Sequence, residues 1–178
     1  MAQRIAISGS AGVGKSTLAQ AAAAELGWPC LPEGMREYLE STKVDIHHLG
    51  VEGLRALVLR LWSERQELEA KYPAFVADRS SFDTVAFWMF YGYAKDEPDT
   101  QRLFDEALRR DRYDHVFLLP WGRIPLVGDG VRYPNRYIQL HVQSMIVGLV
   151  HEFGPAPTWV EPTSLAERVR FVVERASG

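Results

Sequence analysis

Four residues near the amino terminus have the types and the spacing of a loop that binds phosphate. Gly9, Gly14, Lys15 and Ser16 match the Walker A pattern G-x-x-x-x-G-K-[ST]. In such a loop the glycines let backbone N–H groups approach a polyphosphate, and the helix that follows adds the positive end of its dipole. The lysine then reaches the outer phosphates. The candidate residues for binding a nucleoside triphosphate are Gly9, Ser10, Ala11, Gly12, Val13, Gly14, Lys15, Ser16 and Thr17.

A second stretch predicts where a metal ion would be held beside this loop. Residues 75–77 are apolar and Asp78 follows them, as expected of a strand whose final carboxylate faces magnesium. The Ser16 hydroxyl can hold the same ion where it bridges two phosphates. Many strands end in Asp only because Asp caps the next helix, so the pattern is informative because it follows a phosphate loop. We therefore predict Ser16 and Asp78 as the Mg²⁺ ligands.

Three charged residues next to predicted strand ends are candidates for the acceptor side of the site. Glu33 and Arg36 follow the second predicted strand, and Arg79 follows Asp78. Open α/β sheets bind ligands at the carboxyl ends of their strands. The alternative for Glu33 and Arg36 is a solvated helix start, where the dipole favours glutamate. Glu33 can accept a hydroxyl proton, and Asp78 is the rival for that role.

Gln66 and Asp83 are weaker candidates for contacting an acceptor, because side chains of these types on a helix are individually uninformative. The polar side of the helix that carries Gln66, with Arg65 and Glu69, is expected to be mostly solvated surface. The helix that carries Asp83 is rich in aromatic residues, which more often form core than a platform for stacking a base. These residues are Phe82, Phe87, Trp88, Phe90, Tyr91 and Tyr93.

Residues 120–136, which we call the lid segment, contain three Pro, three Gly and three Arg. This composition argues against a strand or a helix. A loop of this length inside a domain is more often functional than idle, and its arginines could close over phosphates. We predict that Arg132 and Arg136 neutralise charge on closure. The alternative is an exposed loop with ordinary surface arginines, Arg123 among them.

Apolar strand patterns alternate with helix patterns along the whole chain. The predicted strands cover residues 4–8, 28–31, 75–78, 115–119 and 158–160. An amphipathic helix begins near Ile138, and Ser164 with Glu167 predicts a capping box for the last helix. Alternation of this kind predicts an α/β fold with a parallel sheet between helix layers. We expect one domain over residues 1–178, with no linker and no internal repeat.

Composition restricts the function further. Hydrophobic residues make up 47% and charged residues 24% of the 178 residues, which are ordinary globular values. The net charge of −3 argues against binding nucleic acid by bulk electrostatics. No long apolar run predicts a membrane span or a secretion signal. Cys30 is the only cysteine, so we expect a reducing, cytoplasmic location. None of the five histidines forms an H-x-x-x-H pair or lies near Cys30 in the sequence, so we expect no structural zinc site.

These stretches together resemble the P-loop kinases of nucleosides and nucleotides. Within that group the chain is most similar to the nicotinamide-riboside kinase domain of NadR-type proteins and to the AAA-type ATPases related to it. The resemblance extends nearly end to end, and it rests on the phosphate loop and on residues 32–37, 78–83, 113–121 and 129–132. It implies a P-loop NTPase fold, which is a three-layer sandwich with a five-stranded parallel sheet in the order 2-3-1-4-5.

The activity that we expect is transfer of a phosphoryl group from ATP, with Mg²⁺, to a small nucleoside-like or nucleotide-like acceptor. Arg36 and Arg79 would orient the acceptor and the phosphate. Two alternatives stay open: an NTPase that drives a regulatory partner, and a nucleotide-binding module without turnover. The sequence has no N-K-x-D stretch for guanine and no ABC-type signature. Whether the protein is a monomer or a homodimer also stays open.

Overall fold

In a computed structural model the chain forms a parallel sheet between two helix layers, and the structure describes residues 3–43, 48–95, 97–124 and 135–178. The strands are β1 (Arg4–Ser8), β2 (Cys30–Leu31), β3 (Phe75–Asp78), β4 (His115–Leu118) and β5 (Thr158–Trp159). The helices are α1 (Lys15–Leu26), α2 (Met35–Thr42), α3 (Gly50–Lys71), α4 (Ser81–Phe90), α5 (Pro98–Ala107), α6 (Arg136–Phe153) and α7 (Leu165–Ser177). A short 3₁₀ turn, Arg110–Arg112, precedes β4.

The strand order is β2-β3-β1-β4-β5, and every neighbouring pair is parallel. The predicted α/β class and the order 2-3-1-4-5 are therefore confirmed. Because β1 is the central strand, the loop that follows it emerges at the middle of the carboxyl edge. The register places Ile7 opposite Asp78 and Ser8 opposite Leu118, so the ends of β3 and β4 flank the start of that loop.

The two faces of the sheet are covered by different helices. In β1, Ile5 and Ile7 pack with α1 and α7, whereas Ala6 packs on the opposite face with α4 and α6. This is the alternation that a strand buried on both faces requires. Within the described ranges, no helix combines the length and the apolar character needed to cross a bilayer.

The aromatic residues of α4 divide between the core and a partly open surface. Phe82 and Trp88 are fully buried and Tyr93 is nearly so, which confirms the core prediction for these three. Trp88 and Tyr93 belong to a third apolar cluster formed by α3, α4 and α5. Phe87, and Tyr91 directly after the helix, are only partly buried and pack against the edges of the core clusters.

Two predicted connections are shorter than the sequence suggested. The histidines and glycines of residues 41–52 predict a connecting loop, but α2 continues to Thr42 and α3 begins at Gly50. The local sequence of residues 96–100 likewise predicts a turn, but α5 begins at Pro98. Proline at the first position of a helix has no N–H to satisfy and a suitable φ, so here it begins a helix instead of excluding one.

The polar side of α3 is not the solvated surface that its composition predicted. Glu69 is 8% exposed, and its carboxylate pairs with Arg112 at 2.8 Å and accepts a hydrogen bond of 3.0 Å from the Tyr113 hydroxyl. The partners lie more than 40 residues further along the chain, so the helical pattern alone could not reveal them. A buried carboxylate is tolerated here because an ion pair and a hydrogen bond satisfy it.

Candidate active site

The loop between β1 and α1 is a tight turn built on glycines. Gly9, Gly12 and Gly14 have φ values of 137°, 76° and 85°, which side chains with a Cβ rarely adopt. Gly14 is also the N-cap of α1 and has no side chain, so none of its atoms caps the first N–H groups of the helix. Ser16 and Thr17 are exposed on the first turn of α1. Uncapped N–H groups and exposed hydroxyls at a helix start are suited to binding an anion.

Side chains from α6 and α7 hold the backbone of this loop, and sequence analysis did not identify them. Gln143 accepts a hydrogen bond of 2.7 Å from the Ser10 backbone N–H, and Gln139 donates one of 2.6 Å to the Ala11 carbonyl. From the other layer, Arg168 donates a hydrogen bond of 3.1 Å to the Val13 carbonyl. Because both helix layers contact the loop, its shape is preorganised before any ligand binds.

We predict opposite effects on stability for the same substitution at two glycines. At Gly9 a Cβ would lie 3.0 Å from the Leu119 carbonyl oxygen, and the φ is strained for alanine. We expect Gly9→Ala to lower the free energy of unfolding by about 1–3 kcal/mol. Gly148 lies in α6 with open space around it, so Gly148→Ala should raise the free energy of unfolding by about 0.5–1 kcal/mol. Urea denaturation checks both, and a destabilised Gly148→Ala would contradict the description of that helix.

Lys15 is buried within the loop. Its side chain is 5% exposed, and Nζ donates a hydrogen bond of 2.5 Å to the Ser10 carbonyl. Burial, and secondly the positive charge of Arg79, lower the pKa of Lys15 from 10.5 to about 7. The negative charges of three carboxylates partly oppose this decrease. An incoming polyphosphate would favour the ammonium form, since it adds negative charge beside Nζ.

This pKa predicts that nucleotide affinity depends on pH. Above pH 7 the free protein holds Lys15 mainly neutral, so binding a polyphosphate requires uptake of a proton. The affinity for ADP should therefore decrease above pH 7, by up to about tenfold per pH unit. Calorimetry at pH 8 in two buffers of different ionisation enthalpy should reveal proton uptake approaching one per ADP. Lys15→Ala should abolish the uptake, and equal uptake in both proteins would contradict the assignment.

Asp78 ends β3 beside the loop, as predicted, and its carboxylate fits a metal ligand. The Asp78 Oδ1 atom is buried and has no hydrogen-bond partner among the described residues, which is costly unless a ligand satisfies it. No group of three His, Cys, Asp or Glu in the described ranges could hold a metal ion. A magnesium ion beside Asp78 and Ser16 would thus take most of its ligands from phosphate and water, as Mg²⁺ commonly does.

Glu33, Arg79 and Asp83 form a chain of charges next to Lys15. The Arg79 Nε atom lies 2.6 Å from Glu33, and its Nη1 donates a hydrogen bond of 3.2 Å to Asp83. The guanidinium also stacks over the ring of Phe87 at 4.9 Å. Burial disfavours the charge on Arg79, but the carboxylates outweigh it and raise the pKa of the guanidinium above its ordinary value. The backbone of Arg79 has a φ of 75°, a strained value for a non-glycine residue that often marks a functional position.

Arg65 on α3 also contacts the site, although its helix face was expected to be mostly solvated surface. Its guanidinium donates hydrogen bonds to the carbonyls of Leu31, at 3.4 Å, and of Asp78, at 2.7 Å. These carbonyls lie at the ends of β2 and β3, where the chain continues toward Glu33 and Arg79 respectively. Arg65 therefore helps to position the acceptor side of the site through the backbone.

The remaining predicted residues lie further from this cluster or outside the described residues. Gln66 donates a hydrogen bond of 3.1 Å to Glu106 on α5. Arg136 is exposed at the start of α6, with its guanidinium 5.5 Å from the centre of the Trp121 ring. Arg132 lies outside the described residues. The backbone of Arg36 belongs to α2, but its side chain is likewise outside the described part of the chain.

A half-buried aromatic pair borders the charged cluster. The rings of Phe87 and Tyr91 are stacked, with centroids 6.0 Å apart and planes inclined by 25°. The charges of Arg79 and Glu33 both act on the pKa of Tyr91, which burial raises. An aromatic surface next to a carboxylate and a guanidinium is suited to a flat ring that carries a polar group.

The central phosphate-binding turn, its buried lysine and the parallel sheet define a P-loop protein. The sequence profile of the AAA domain family matches residues 4–168, and the chain belongs to that family. No curated protein sequence matches the chain.

Several solved structures share the fold. A NadR protein in complex with NR aligns with a TM-score of 0.74 and 17% identity, covering 98% of this chain and 50% of that one. Deoxyadenosine kinase from M. mycoides with bound dATP aligns with a TM-score of 0.69 and 16% identity, covering 99% of this chain and 100% of that one. Thymidylate kinase from Candida albicans aligns with a TM-score of 0.69 and 15% identity, covering 99% of this chain and 91% of that one. The chain thus spans about half the length of the NadR protein, and the likenesses establish the fold of P-loop nucleoside and nucleotide kinases.

Proposed function

We propose that the protein is a kinase that transfers the γ-phosphoryl group of ATP, with Mg²⁺, to a small nucleoside-like or nucleotide-like acceptor. The observation that carries the proposal is the arrangement around Lys15. The charges of Glu33, Asp78 and Arg79 all act on its ammonium group, so phosphate-binding and acceptor-side residues share one site. Phosphoryl transfer needs little covalent chemistry from the protein and depends on positioning and charge neutralisation.

Each residue has a role in this proposal. Lys15 and the N–H groups of residues 9–17 bind the phosphates, and Ser16 with Asp78 would hold magnesium, which supplies further charge neutralisation when bound. Glu33 accepts the proton if the acceptor is a hydroxyl, with Asp78 as the rival. Arg79 orients the reacting groups. Arg36, Arg132 and Arg136 stay candidates for contacting phosphate.

The acceptor class rests on the half-buried aromatic pair and on the fold neighbours. The stacked rings of Phe87 and Tyr91 adjoin Arg79 and Glu33, where an acceptor would present its reacting group. The neighbouring structures are named as kinases of deoxyadenosine and of thymidylate, and as a NadR protein with NR bound. A small molecule is favoured over a nucleic acid because the net charge is −3. A single cysteine fits a reducing cytoplasm.

The experiment that tests the proposal is a screen of nucleosides, nucleotides and small alcohols with ATP and Mg²⁺. We expect one class of acceptor to stimulate ADP release, with phosphorylated product formed in equal amount. Slow ATP hydrolysis that no acceptor stimulates would instead support an NTPase that acts on a partner. ATP binding with no product after long incubation would support a binding module.

A further inference from the structure

We propose that Asp83 is a specificity-determining residue. Its carboxylate pairs with Arg79 from inside the protein, and this pairing favours an acceptor that carries no phosphate over the phosphorylated form of the same acceptor. This inference rests on the proposed kinase function. It assigns Asp83 a role different from the direct acceptor contact that its position in the sequence suggested, because its side chain is fully buried.

The carboxylate of Asp83 is surrounded by donors from two strand ends. Ser80 donates to it from its backbone N–H at 2.9 Å and from its hydroxyl at 2.6 Å. The Ser8 hydroxyl, one residue before the phosphate loop, donates to the same oxygen of Asp83. The other oxygen accepts from Arg79. These donors fix the carboxylate in place, with one of its oxygens held by Ser8 and Ser80 and the other against Arg79.

Arg79 is consequently neutralised from two directions. Glu33 lies 2.6 Å from its Nε, and Asp83 lies 3.2 Å from its Nη1, so two of its three nitrogens face carboxylates. Only 8% of the Arg79 side chain is exposed. A phosphate on the acceptor would have to compete with both carboxylates for this guanidinium. Arg65, the other described arginine near these residues, donates its hydrogen bonds to backbone carbonyls.

The charge of the site also disfavours a phosphorylated acceptor. Of the described side chains whose charges act on Lys15, three are carboxylates, Glu33, Asp78 and Asp83, and one is the cation Arg79. With Lys15 itself the cluster carries three negative and two positive charges. Lys15 is directed into the phosphate loop, where its Nζ contacts Ser10. Among the described side chains around Lys15, a second phosphate group would therefore meet three carboxylates and a guanidinium that is already paired with two of them. Like charges brought together in a site discriminate strongly against a ligand.

The test compares nucleosides with their own 5′-monophosphates by calorimetry, with Mg²⁺ and saturating ADP filling the phosphate loop. The probes are the common ribonucleosides and deoxyribonucleosides. For the nucleoside that binds most tightly, we expect an affinity at least about tenfold higher than that of its 5′-monophosphate. In Asp83→Asn, which releases Arg79 from one carboxylate, this ratio should fall at least about tenfold. Asp105→Asn, on the exposed surface of α5, is the matched control and should keep the wild-type ratio.

Several outcomes would overturn the inference. These are a monophosphate that binds the wild type as tightly as its nucleoside, an unchanged ratio in Asp83→Asn, or no binding of any nucleoside. If thermal melting shows that Asp83→Asn does not fold, Glu33→Gln removes the other carboxylate from a more exposed position, and the same decrease in the ratio is expected. Since the measurement is binding, a nucleoside that binds with the expected preference but is not phosphorylated refutes only the proposed function. Phosphorylation without that preference refutes only the role of Asp83.

Discussion

Lys15→Ala is expected to lower ATP-dependent phosphoryl transfer by at least about a thousandfold while the protein still unfolds cooperatively. A preorganised charge aimed at the transferring group in a site with little water is among the largest contributions to catalysis. In the free protein the charge of the buried ammonium is electrostatically unfavourable, since burial lowers the pKa of Lys15 to about 7. Its removal should therefore not destabilise the fold through loss of charge, and the hydrogen bond to Ser10 is the only described polar contact that disappears.

The measurement is product formation with the acceptor found in the screen, alongside thermal unfolding of both proteins. Lys71→Ala is the matched control, because Lys71 is exposed at the last residue of α3 and is not one of the residues assigned to the site. It should retain full activity. Transfer that survives in Lys15→Ala would mean that the phosphate loop is not where the chemistry takes place.

The second large effect concerns which carboxylate is the general base. If the acceptor is a hydroxyl, Glu33→Gln should lower kcat by about 10²–10⁴-fold, which is the usual contribution of a positioned base. The KM for ATP should change little, because Glu33 contacts Arg79 and belongs to no part of the phosphate loop. Asp78→Asn should instead raise the Mg²⁺ concentration needed for half-maximal rate, because the buried Oδ1 of Asp78 would lose its charge as a ligand.

The pH dependence of kcat separates these roles. The variant that lacks the base should lose the acidic limb of the profile, and the other variant should keep it. Glu37→Gln, on the exposed side of α2 in the turn after Glu33, is the control and should behave as the wild type. Full kcat in Glu33→Gln together with a lost acidic limb in Asp78→Asn would assign the base to Asp78.

Local sequence was sufficient where backbone geometry decides the structure. The spacing of Gly9, Gly14 and Lys15 predicted a turn that needs positive φ values, and the structure has them. The run that ends in Asp78 predicted a strand beside the loop, and the register places it there. Alternating strands and helices predicted a parallel sheet in a layered α/β fold, because short connections and right-handed crossovers allow few other arrangements. The order of the strands came from the family resemblance and was also correct.

Only the tertiary structure decided what surrounds the loop. Gln139, Gln143 and Arg168 hold its backbone from positions 128 to 155 residues away, and nothing in their local patterns distinguishes them from other helix residues. Asp83 was a weaker candidate for contacting the acceptor, yet its carboxylate points inward to Ser8, a partner 75 residues away. Periodicity along a chain specifies which face of an element is apolar, whereas the partner of a polar side chain depends on how distant elements pack. The sequence by itself therefore determined the fold and predicted where a phosphate-binding loop lies in it, and the packing of the layers decided which charges surround that loop.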